Sequence, residues 1–373
     1  MIPHMNVLIK PASGACNMRC AYCFYADESA HRSIENYGMM SYVTLSNVVR
    51  KSILCASHSV TFAFQGGEPT LRGLDFFKEL VRLEHKFNHK SIQIFNTVQT
   101  NGYALDEEWC QFFHDHNFLV GLSIDGTKDL HDAYRHDPAN HPTYERIKKN
   151  AILLAQHQVN FNILTVVNRD VADAARQIYQ AYRKNHWDYM QFIPCLAPLD
   201  TDRTPTFSPS PAAYGKFLCE LFDCWYADVI TGNPSYIRTF ENYLGILIGM
   251  APESCDMRGL CSIQHVVEAD GSVYPCDFYV LDDYYIGNFN TDTIADITRR
   301  CQNLQFIEKS QKLPPACKDC PYFNLCHGGC MRHRIPDPVS GQPTNCFCES
   351  FRMFFSYSLP RLQDLALQLQ HKS

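Results

Sequence analysis

Short apolar runs alternate with longer amphipathic runs from the N-terminus to about residue 230, and few folds accommodate this pattern. The six apolar runs have the length and β-branched content of buried strands, and they cover residues 7–11, 60–65, 92–99, 118–124, 161–167 and 189–194. Helical patterns lie between them, among them residues 74–87, 106–116 and 144–157. Alternating strands and helices predict an α/β fold with a parallel sheet. Six such units favour a partial (β/α)6 barrel over a flat sheet.

The pattern changes after residue 235. Residues 236–250 predict a helix, and Asp270-Gly271 between two β-type runs predicts a hairpin over residues 266–276. A closing helix is predicted over residues 350–370, kinked or divided at Pro360. We therefore expect a barrel domain over residues 1–235 and a cysteine-rich domain with the closing helix over residues 236–373.

Composition excludes several classes of function. The net charge is −6 and no run of Lys or Arg is present, so binding to nucleic acid is not expected. No window holds the roughly 18 apolar residues of a membrane span, and the N-terminus lacks the pattern of a signal peptide. These features predict a cytoplasmic protein without a membrane partner.

Eighteen cysteines are unusual for such a protein, and they are clustered: three lie within residues 16–23 and ten within residues 255–348. In a reducing compartment, clustered cysteines indicate metal binding or redox chemistry more often than disulfides. Cys16, Cys20 and Cys23 follow the first strand with the spacing C-x3-C-x2-C. Three thiolates would leave one iron of a four-iron cluster open. A zinc site completed from elsewhere, or three unrelated thiols, are the alternatives.

The second group contains a C-x2-C-x5-C-x3-C run, which is typical of metal sites. It consists of Cys317, Cys320, Cys326 and Cys330. A zinc ribbon is the simplest alternative, but a ribbon needs four cysteines and about eight are available here. Eight thiolates suit two fully ligated four-iron clusters.

These motifs resemble those of the radical S-adenosylmethionine enzymes. The resemblance rests on C-x3-C-x2-C with an aromatic residue, Tyr22, before the third cysteine, and on FQGGEPTL (64–71) after the second strand. It implies that adenosylmethionine occupies the open iron and is cleaved to a 5′-deoxyadenosyl radical. The residues that it implies for binding this cosubstrate are Tyr22, Gly66, Gly67, Glu68, Ser123, Arg135 and Leu196.

The C-terminal cysteines resemble the SPASM domain of peptide-modifying radical enzymes. The resemblance implies one auxiliary cluster on Cys255, Cys261, Cys276 and Cys330, and another on Cys317, Cys320, Cys326 and Cys348. With the cluster of the first motif, this makes three 4Fe-4S clusters. A swap of Cys348 with Cys346 stays open.

Four longer segments narrow the resemblance: LIKPASGACNMRCAYCFY, FAFQGGEPTLRGLDFF, QFIPCLAPLD and ADGSVYPCDFYVLDDYYIGN. They resemble the anaerobic sulfatase-maturating enzymes, a resemblance that covers nearly the whole chain and departs mainly in residues 198–211. Members oxidise one Cys or Ser of an unfolded sulfatase, in a Cys/Ser-x-Pro-x-Arg motif, to Cα-formylglycine. The resemblance also implies a flavodoxin or ferredoxin type electron donor. It makes Asp277, next to Cys276, the candidate general base, with the neighbouring cluster as electron acceptor. Without the family, an Asp that satisfies turn amides is an equally good reading.

Two other functions compete with this one. A SPASM enzyme that crosslinks a ribosomal peptide often carries an N-terminal peptide-recognition domain, and a first cluster motif at residue 16 leaves no room for one. A non-enzymatic electron-transfer or zinc scaffold has no use for an open iron beside the GGEP segment.

Overall fold

The computed structural model describes residues 1–199, 207–337 and 341–370. Half of the divergent segment over residues 198–211, residues 200–206, therefore lies outside the described residues. The strands are β1 (Ile2–Ile9), β2 (Arg19–Cys20), β3 (Ala56–Phe64), β4 (Gln93–Thr100), β5 (Leu119–Ser123), β6 (Arg135–His136), β7 (Phe161–Val167), β8 (Tyr189–Pro194), β9 (Tyr236–Ile237), β10 (Val266–Val267), β11 (Ser272–Tyr274), β12 (Gly287–Asn288), β13 (Arg334–Pro336) and β14 (Pro343–Asn345).

The helices have the following bounds: α1 (Phe24–Ala30), α2 (Tyr42–Cys55), α3 (Leu74–Phe87), α4 (Glu107–Asp115), α5 (Lys128–Asp132), α6 (Tyr144–Gln156), α7 (Ala175–Lys184), α8 (Pro211–Ile230), α9 (Arg238–Leu247), α10 (Cys255–Arg258), α11 (Ile294–Asn303), α12 (Phe306–Ser310), α13 (Phe323–Cys326) and α14 (Cys348–Gln370). Within the described ranges, no helix is long and apolar enough to cross a membrane.

The six predicted strands all form and are parallel neighbours, in the order β1-β3-β4-β5-β7-β8. Their helix-facing side chains, such as Phe62, Phe64 and Val98, are fully buried. Helices α3, α4 and α6 lie within one residue of their predicted bounds, and the Asp106 side chain caps α4 by accepting from the Trp109 N–H. The predicted α/β partial barrel, with its C-terminal cysteine-rich region and closing helix, is confirmed.

The C-terminal region continues the barrel sheet at both edges. Strand β9 pairs in parallel with β8, so the predicted helix over residues 236–250 instead begins with two strand residues and ends at Leu247. At the other edge β10 pairs in parallel with β1, and the predicted hairpin forms between β10 and β11. The hairpin therefore extends the sheet beside the strand that precedes the first cysteine motif.

Helix α14 packs against α8 and α9. It runs through Pro360 without a break, so the predicted division of the helix does not occur. Buried side chains lie on both sides of the proline, with Phe354 and Phe355 before it and Leu362 and Leu365 after it. This packing holds together a helix that proline alone would interrupt.

Candidate active site

The three cysteines of the first motif lie in the loop between β1 and α1. Cys23 is the N-cap of α1, and Cys20 belongs to the short strand β2, which pairs with β6. The Cys16 Sγ accepts from the Met18 N–H at 3.3 Å and from the Asn101 amide at 3.6 Å. Burial raises the pKa of Cys16 to about 12 and that of Cys20 to about 11, and the neighbouring thiols add to both shifts. Cys16 is nevertheless exposed and Cys20 and Cys23 are half-buried, so a cation that displaces the protons of these neighbouring thiols can reach them.

The glycine pair after β3 packs directly against this loop. Gly66 and Gly67 have φ of +90° and +55°, and a Cβ on Gly67 would lie 2.3 Å from the carbonyl oxygen of Ala15. The Glu68 N–H donates to that same carbonyl at 2.8 Å. Only glycine permits this approach of two backbones, and so the GGE segment and the cysteine loop form one unit.

The Glu68 carboxylate is 1% exposed and is satisfied inside the protein. Its Oε1 accepts from the Thr70 N–H and from the hydroxyls of Thr70 and Thr100, and its Oε2 accepts from the Asn101 N–H at 2.8 Å. Burial raises the pKa of Glu68. The side chain thus fastens the loop after β3 to the loop after β4.

Tyr22 and Arg135 meet at a residue that the sequence analysis did not select, Asp125. Its carboxylate is fully buried and accepts from the Tyr22 hydroxyl and from Arg135 Nε at 2.8 Å. The Arg135 guanidinium beside Asp125 holds the pKa of that carboxyl below its usual value, against the effect of burial. An acidic residue just past a parallel strand was the available signal, since Ser123 ends β5 and Asp125 follows two residues later.

Leu196 lies two residues beyond the end of β8 and is partly exposed. The next carbonyl, of Ala197, accepts from Arg332 Nη2 at 2.9 Å. Arg332 follows Cys330 closely in sequence, so this contact joins the loop after β8 to the C-terminal cysteine region.

Asp277 is 5% exposed and lies between the two halves of the site. Its Oδ2 accepts from the Tyr25 hydroxyl at 2.6 Å and from Gln65 Nε2 at 2.5 Å. Oδ1 has no hydrogen-bond partner among the described residues. Burial raises the pKa of Asp277. The sequence analysis did not select Tyr25 or Gln65 as site residues, although Tyr25 lies two residues after Cys23 and Gln65 directly precedes Gly66.

A buried group of charges lies beside Asp277. Lys10 Nζ is 2.9 Å from Glu268 Oε1, which Arg32 also contacts at 2.5 Å. Burial raises the pKa of Glu28 to about 8, and Lys10 and Arg32 oppose that shift while Asp277 adds to it. Lys10 also lowers the pKa of Asp277, so this cation stabilises the ionised carboxylate at the centre of the site.

The C-terminal cysteines fall into two groups that interact electrostatically within each group. In the first, burial raises the pKa of Cys276 and of Cys330. The charge of Cys330 adds to the shift of Cys276, and the charges of Cys255 and Cys261 add to that of Cys330. In the second, the pKa of Cys326 is raised to about 11 by burial and then by Cys348, Cys317 and Cys320. No other cysteine contributes to the raised pKa of Cys346. These interactions divide eight C-terminal cysteines into the two sets of four that the resemblance implies, with Cys348 in the second set, and their ligation of clusters stays a prediction.

All eighteen cysteines are free. Within residues 1–199, 207–337 and 341–370, no three His, Cys, Asp or Glu side chains converge tightly enough to hold a single metal ion. Two groups of four thiols are the donors that two fully ligated four-iron clusters require, and the three thiols of the first motif are those of a cluster with one open iron.

Comparison with known proteins agrees with this arrangement. The sequence model of the radical SAM superfamily matches residues 11–180, and that of an iron-sulfur cluster-binding domain, SPASM, matches residues 259–321. The first match includes Cys16, Cys20, Cys23 and the GGE segment, and the second includes four of the eight C-terminal cysteines named above.

Relatives match over the whole chain. A cysteine-type anaerobic sulfatase-maturating enzyme of Clostridium novyi is 42% identical over 369 residues, covering 99% of both chains. A serine-type anaerobic sulfatase-maturating enzyme of Bacteroides thetaiotaomicron is 30% identical and covers 99% of this chain and 92% of its own. The solved structure of native anSMEcpe with bound AdoMet and Cp18Cys peptide has a TM-score of 0.93 at 41% identity, covering 98% of this chain and 100% of that chain.

Proposed function

Because the chain belongs to the anaerobic sulfatase-maturating enzymes of the radical SAM superfamily, we propose that it oxidises a cysteine of a sulfatase polypeptide to Cα-formylglycine without oxygen. The preference for cysteine over serine is supported by 42% identity to a cysteine-type relative against 30% to a serine-type one. A peptide-crosslinking function has less support, because the full-length relatives carry the sulfatase-maturase name.

One observation in the geometry supports this function more than any other. Asp277 accepts hydrogen bonds from Gln65 and Tyr25, which flank the glycine pair and the cysteine motif respectively. A carboxylate is therefore held at the point where the loop proposed to bind adenosylmethionine meets the loop proposed to bind iron. In a peptide-oxidising enzyme, that is where a substrate Cβ must lie.

We assign the residues of the site as follows. Cys16, Cys20 and Cys23 hold the radical cluster, and the two groups of four C-terminal thiolates hold two auxiliary clusters. The backbone of Gly66, Gly67 and Glu68, with Tyr22, Ser123, Arg135 and Leu196, surrounds adenosylmethionine. The barrel domain would end near residue 235, with β9 as the first element of the C-terminal domain.

When bound, the radical cluster and adenosylmethionine supply the radical that takes a hydrogen atom from the substrate Cβ, and the auxiliary clusters supply an acceptor for the electron lost afterwards. Asp277 removes the remaining proton from the substrate thiol. Its Oδ1 has no hydrogen-bond partner among the described residues and is free to receive that proton. Loss of one hydrogen atom, one proton and one electron converts the thiol carbon to a thioaldehyde, which water hydrolyses to formylglycine with release of hydrogen sulfide.

Tyr25 and Gln65 have a positioning role in this reaction, because both bind Oδ2 and so turn Oδ1 towards the substrate. Burial raises the pKa of Asp277, and Lys10, which forms a buried ion pair with Glu268, opposes that shift and so favours the carboxylate. The substrate is an unfolded sulfatase segment, the electron donor is a flavodoxin or ferredoxin type protein, and the reaction takes place in the cytoplasm.

Mass spectrometry of a peptide provides the test. A peptide with a Cys-x-Pro-x-Arg motif is incubated anaerobically with the protein, adenosylmethionine and dithionite. We expect an aldehyde at the cysteine and 5′-deoxyadenosine in the same reaction. A protein with Cys16, Cys20 and Cys23 changed to Ala is the control and should make neither product. Crosslinked peptide in place of the aldehyde would overturn the proposal.

A further inference from the structure

Asp125 is a fully buried carboxylate that accepts four hydrogen bonds from three parts of the chain. Arg135 donates to it through Nε at 2.8 Å and Nη2 at 3.3 Å, and the Tyr22 hydroxyl donates to the same Oδ2 that accepts from Nε. The Val166 N–H of β7 donates to Oδ1 at 2.9 Å. This carboxylate is more extensively bonded than a turn residue requires, and it lies directly behind the cysteine loop.

Arg135 links Asp125 to a cysteine of the radical motif. Its backbone pairs with Cys20 across β2 and β6, and its Nη1 is 3.8 Å from the Cys20 Sγ, within range of an N–H···S contact. The guanidinium also lies 5.5 Å from the centre of the Tyr22 ring. One buried cation therefore contacts a thiol on one side and a buried carboxylate on the other.

Further contacts fix this cation in place. The Thr143 hydroxyl donates to the Arg135 carbonyl at 2.8 Å and is 3.1 Å from His131 Nε2. His131 Nδ1 in turn accepts from the Asp125 N–H at 3.3 Å. The backbones on both sides of the ion pair are thus tied to the same buried histidine, so the pair has little freedom to turn away from Cys20.

We propose that Asp125, through Arg135, sets the reduction potential of the cluster held by Cys16, Cys20 and Cys23. The proposal rests on the cluster assignment made under the proposed function. Hydrogen bonds to the sulfurs and nearby charge are among the properties that set such potentials. Charges interact more strongly in a buried site than in water. Arg135 stabilises the reduced, more negative cluster, and Asp125 offsets part of that stabilisation.

The two partners should therefore act in opposite directions. Asp125→Asn removes the carboxylate charge and leaves that of Arg135 uncompensated, so the midpoint potential should rise. Arg135→Met removes the cation and its N–H···S contact, so the potential should fall. Arg135→Lys retains a cation and should lie between Arg135→Met and the unchanged protein. A residue that only maintained the fold would leave the potential of the assembled cluster unchanged.

The measurement is a redox titration of the protein with all its clusters, followed by electron paramagnetic resonance without adenosylmethionine. The auxiliary clusters are an internal reference, because their potentials should not move. Asp129→Asn, an exposed Asp of α5, is the matched control and should leave all potentials unchanged. Iron content, measured alongside, shows that the radical cluster is present in each variant.

Equal radical-cluster potentials in Asp125→Asn and the unchanged protein, at full iron content, would overturn the proposal. If Asp125→Asn does not assemble the cluster, the two Arg135 variants provide the test. A radical-cluster potential equal to that of the unchanged protein in both of them would also overturn the proposal. Replacing Cys16, Cys20 and Cys23 by Ala should remove the electron paramagnetic resonance signal of the radical cluster. If every signal of the unchanged protein remains, the cluster assignment fails and this inference fails with it.

Discussion

At the scale of single residues, the site depends on carboxylates whose surroundings differ sharply. Glu68 has all its acceptor capacity taken up by loop donors, and Asp125 is paired with a guanidinium. Asp277 has one oxygen held and the other without a partner among the described residues. Only the third arrangement leaves an oxygen available for proton transfer, which distinguishes Asp277 from a structural Asp.

We predict that Asp277→Asn uncouples the two products. Asparagine keeps the size and the hydrogen bonds of the side chain but cannot take a proton. A positioned base contributes about 10²–10⁴-fold, so formylglycine formation should fall by a factor in that range. Formation of 5′-deoxyadenosine should fall much less, because hydrogen abstraction comes first. Chromatography of both products from one reaction measures the ratio.

Asp283→Asn is the control, since Asp283 is an exposed residue of the same region. This variant should keep the product ratio of the unchanged protein. An Asp277→Asn protein that formed both products at the original rate and ratio would show that the base lies elsewhere.

Glu84 gives a second prediction at this scale, on pH and stability. Its Oε2 accepts from Asn96 Nδ2 at 3.2 Å, while Glu84 Oε1 and Asn96 Oδ1 are both buried without partners. A proton on Oε1 would satisfy both atoms in a cyclic acid–amide pair. Burial raises the pKa of Glu84 from 4.5 to about 7, so the folded state holds this proton more tightly than the unfolded chain.

The stability that protonated Glu84 adds to the folded state is therefore fully present below about pH 4.5, and it is lost as pH rises to about 7. Its size is on the order of 3 kcal/mol. Glu84→Gln mimics the protonated form, so its stability relative to the unchanged protein should rise across this interval and stay constant above it. Thermal unfolding at a series of pH values measures this difference. Asp75→Asn, at an exposed residue of the same helix, is the control, and a pH-independent difference for Glu84→Gln would contradict the prediction.

At the scale of elements, regular patterning was enough to predict the barrel strands and helices. Each strand has a buried face against helices, and each of the helices named in advance has an apolar stripe, so local period and tertiary packing agree. The short pair β2–β6 could not be predicted, because two residues on each side carry no period. The same limit hid the pairing of β9 and β10 with the barrel, since two-residue strands are defined by their neighbours.

The site was predictable where a motif is contiguous and not where it is assembled from distant segments. The cysteine spacing and the GGE segment are visible in the sequence. Asp125, Tyr25 and Gln65 are single polar residues whose role depends on contacts across the fold. Pro360 shows the opposite case, because proline predicts an interruption and buried residues on both sides of it maintain the helix.

We predict that Pro360→Ala stabilises α14. Proline lacks the N–H that would bond the carbonyl of Ser356, and its ring crowds that carbonyl. Because the neighbouring residues are already helical, alanine should regain part of this cost, on the order of 1 kcal/mol. Thermal unfolding should show a higher midpoint, with Gln363→Ala, an exposed position of the same helix, as the unchanged reference. A lower midpoint for Pro360→Ala would mean that the packed helix requires the proline geometry.

At the scale of the whole molecule, the cysteine groups join segments that are far apart in sequence. One group connects the first residue of α10, Cys255, with Cys276 at the end of the β10–β11 hairpin. The other connects the turn at Cys317 with Cys348, the first residue of α14. Since the hairpin pairs with β1 and α14 packs on α8, both groups connect the C-terminal region to the barrel.

Cluster binding should therefore contribute to the stability of the whole chain, because metal binding to sites absent in the unfolded chain adds to folding free energy. Cys348 and Cys346 provide a matched pair for testing this. They are two residues apart, yet the charge of Cys348 adds to the raised pKa of Cys326, whereas no other cysteine contributes to the raised pKa of Cys346.

We predict that Cys348→Ala loses about one cluster's iron and unfolds at a lower temperature, while Cys346→Ala keeps its iron and its unfolding midpoint. Iron and sulfide assays with anaerobic thermal unfolding measure both properties. The reverse result, with iron lost from Cys346→Ala and retained in Cys348→Ala, would show that Cys346 is the ligand in place of Cys348. The cluster would then not be bound to the first residue of α14.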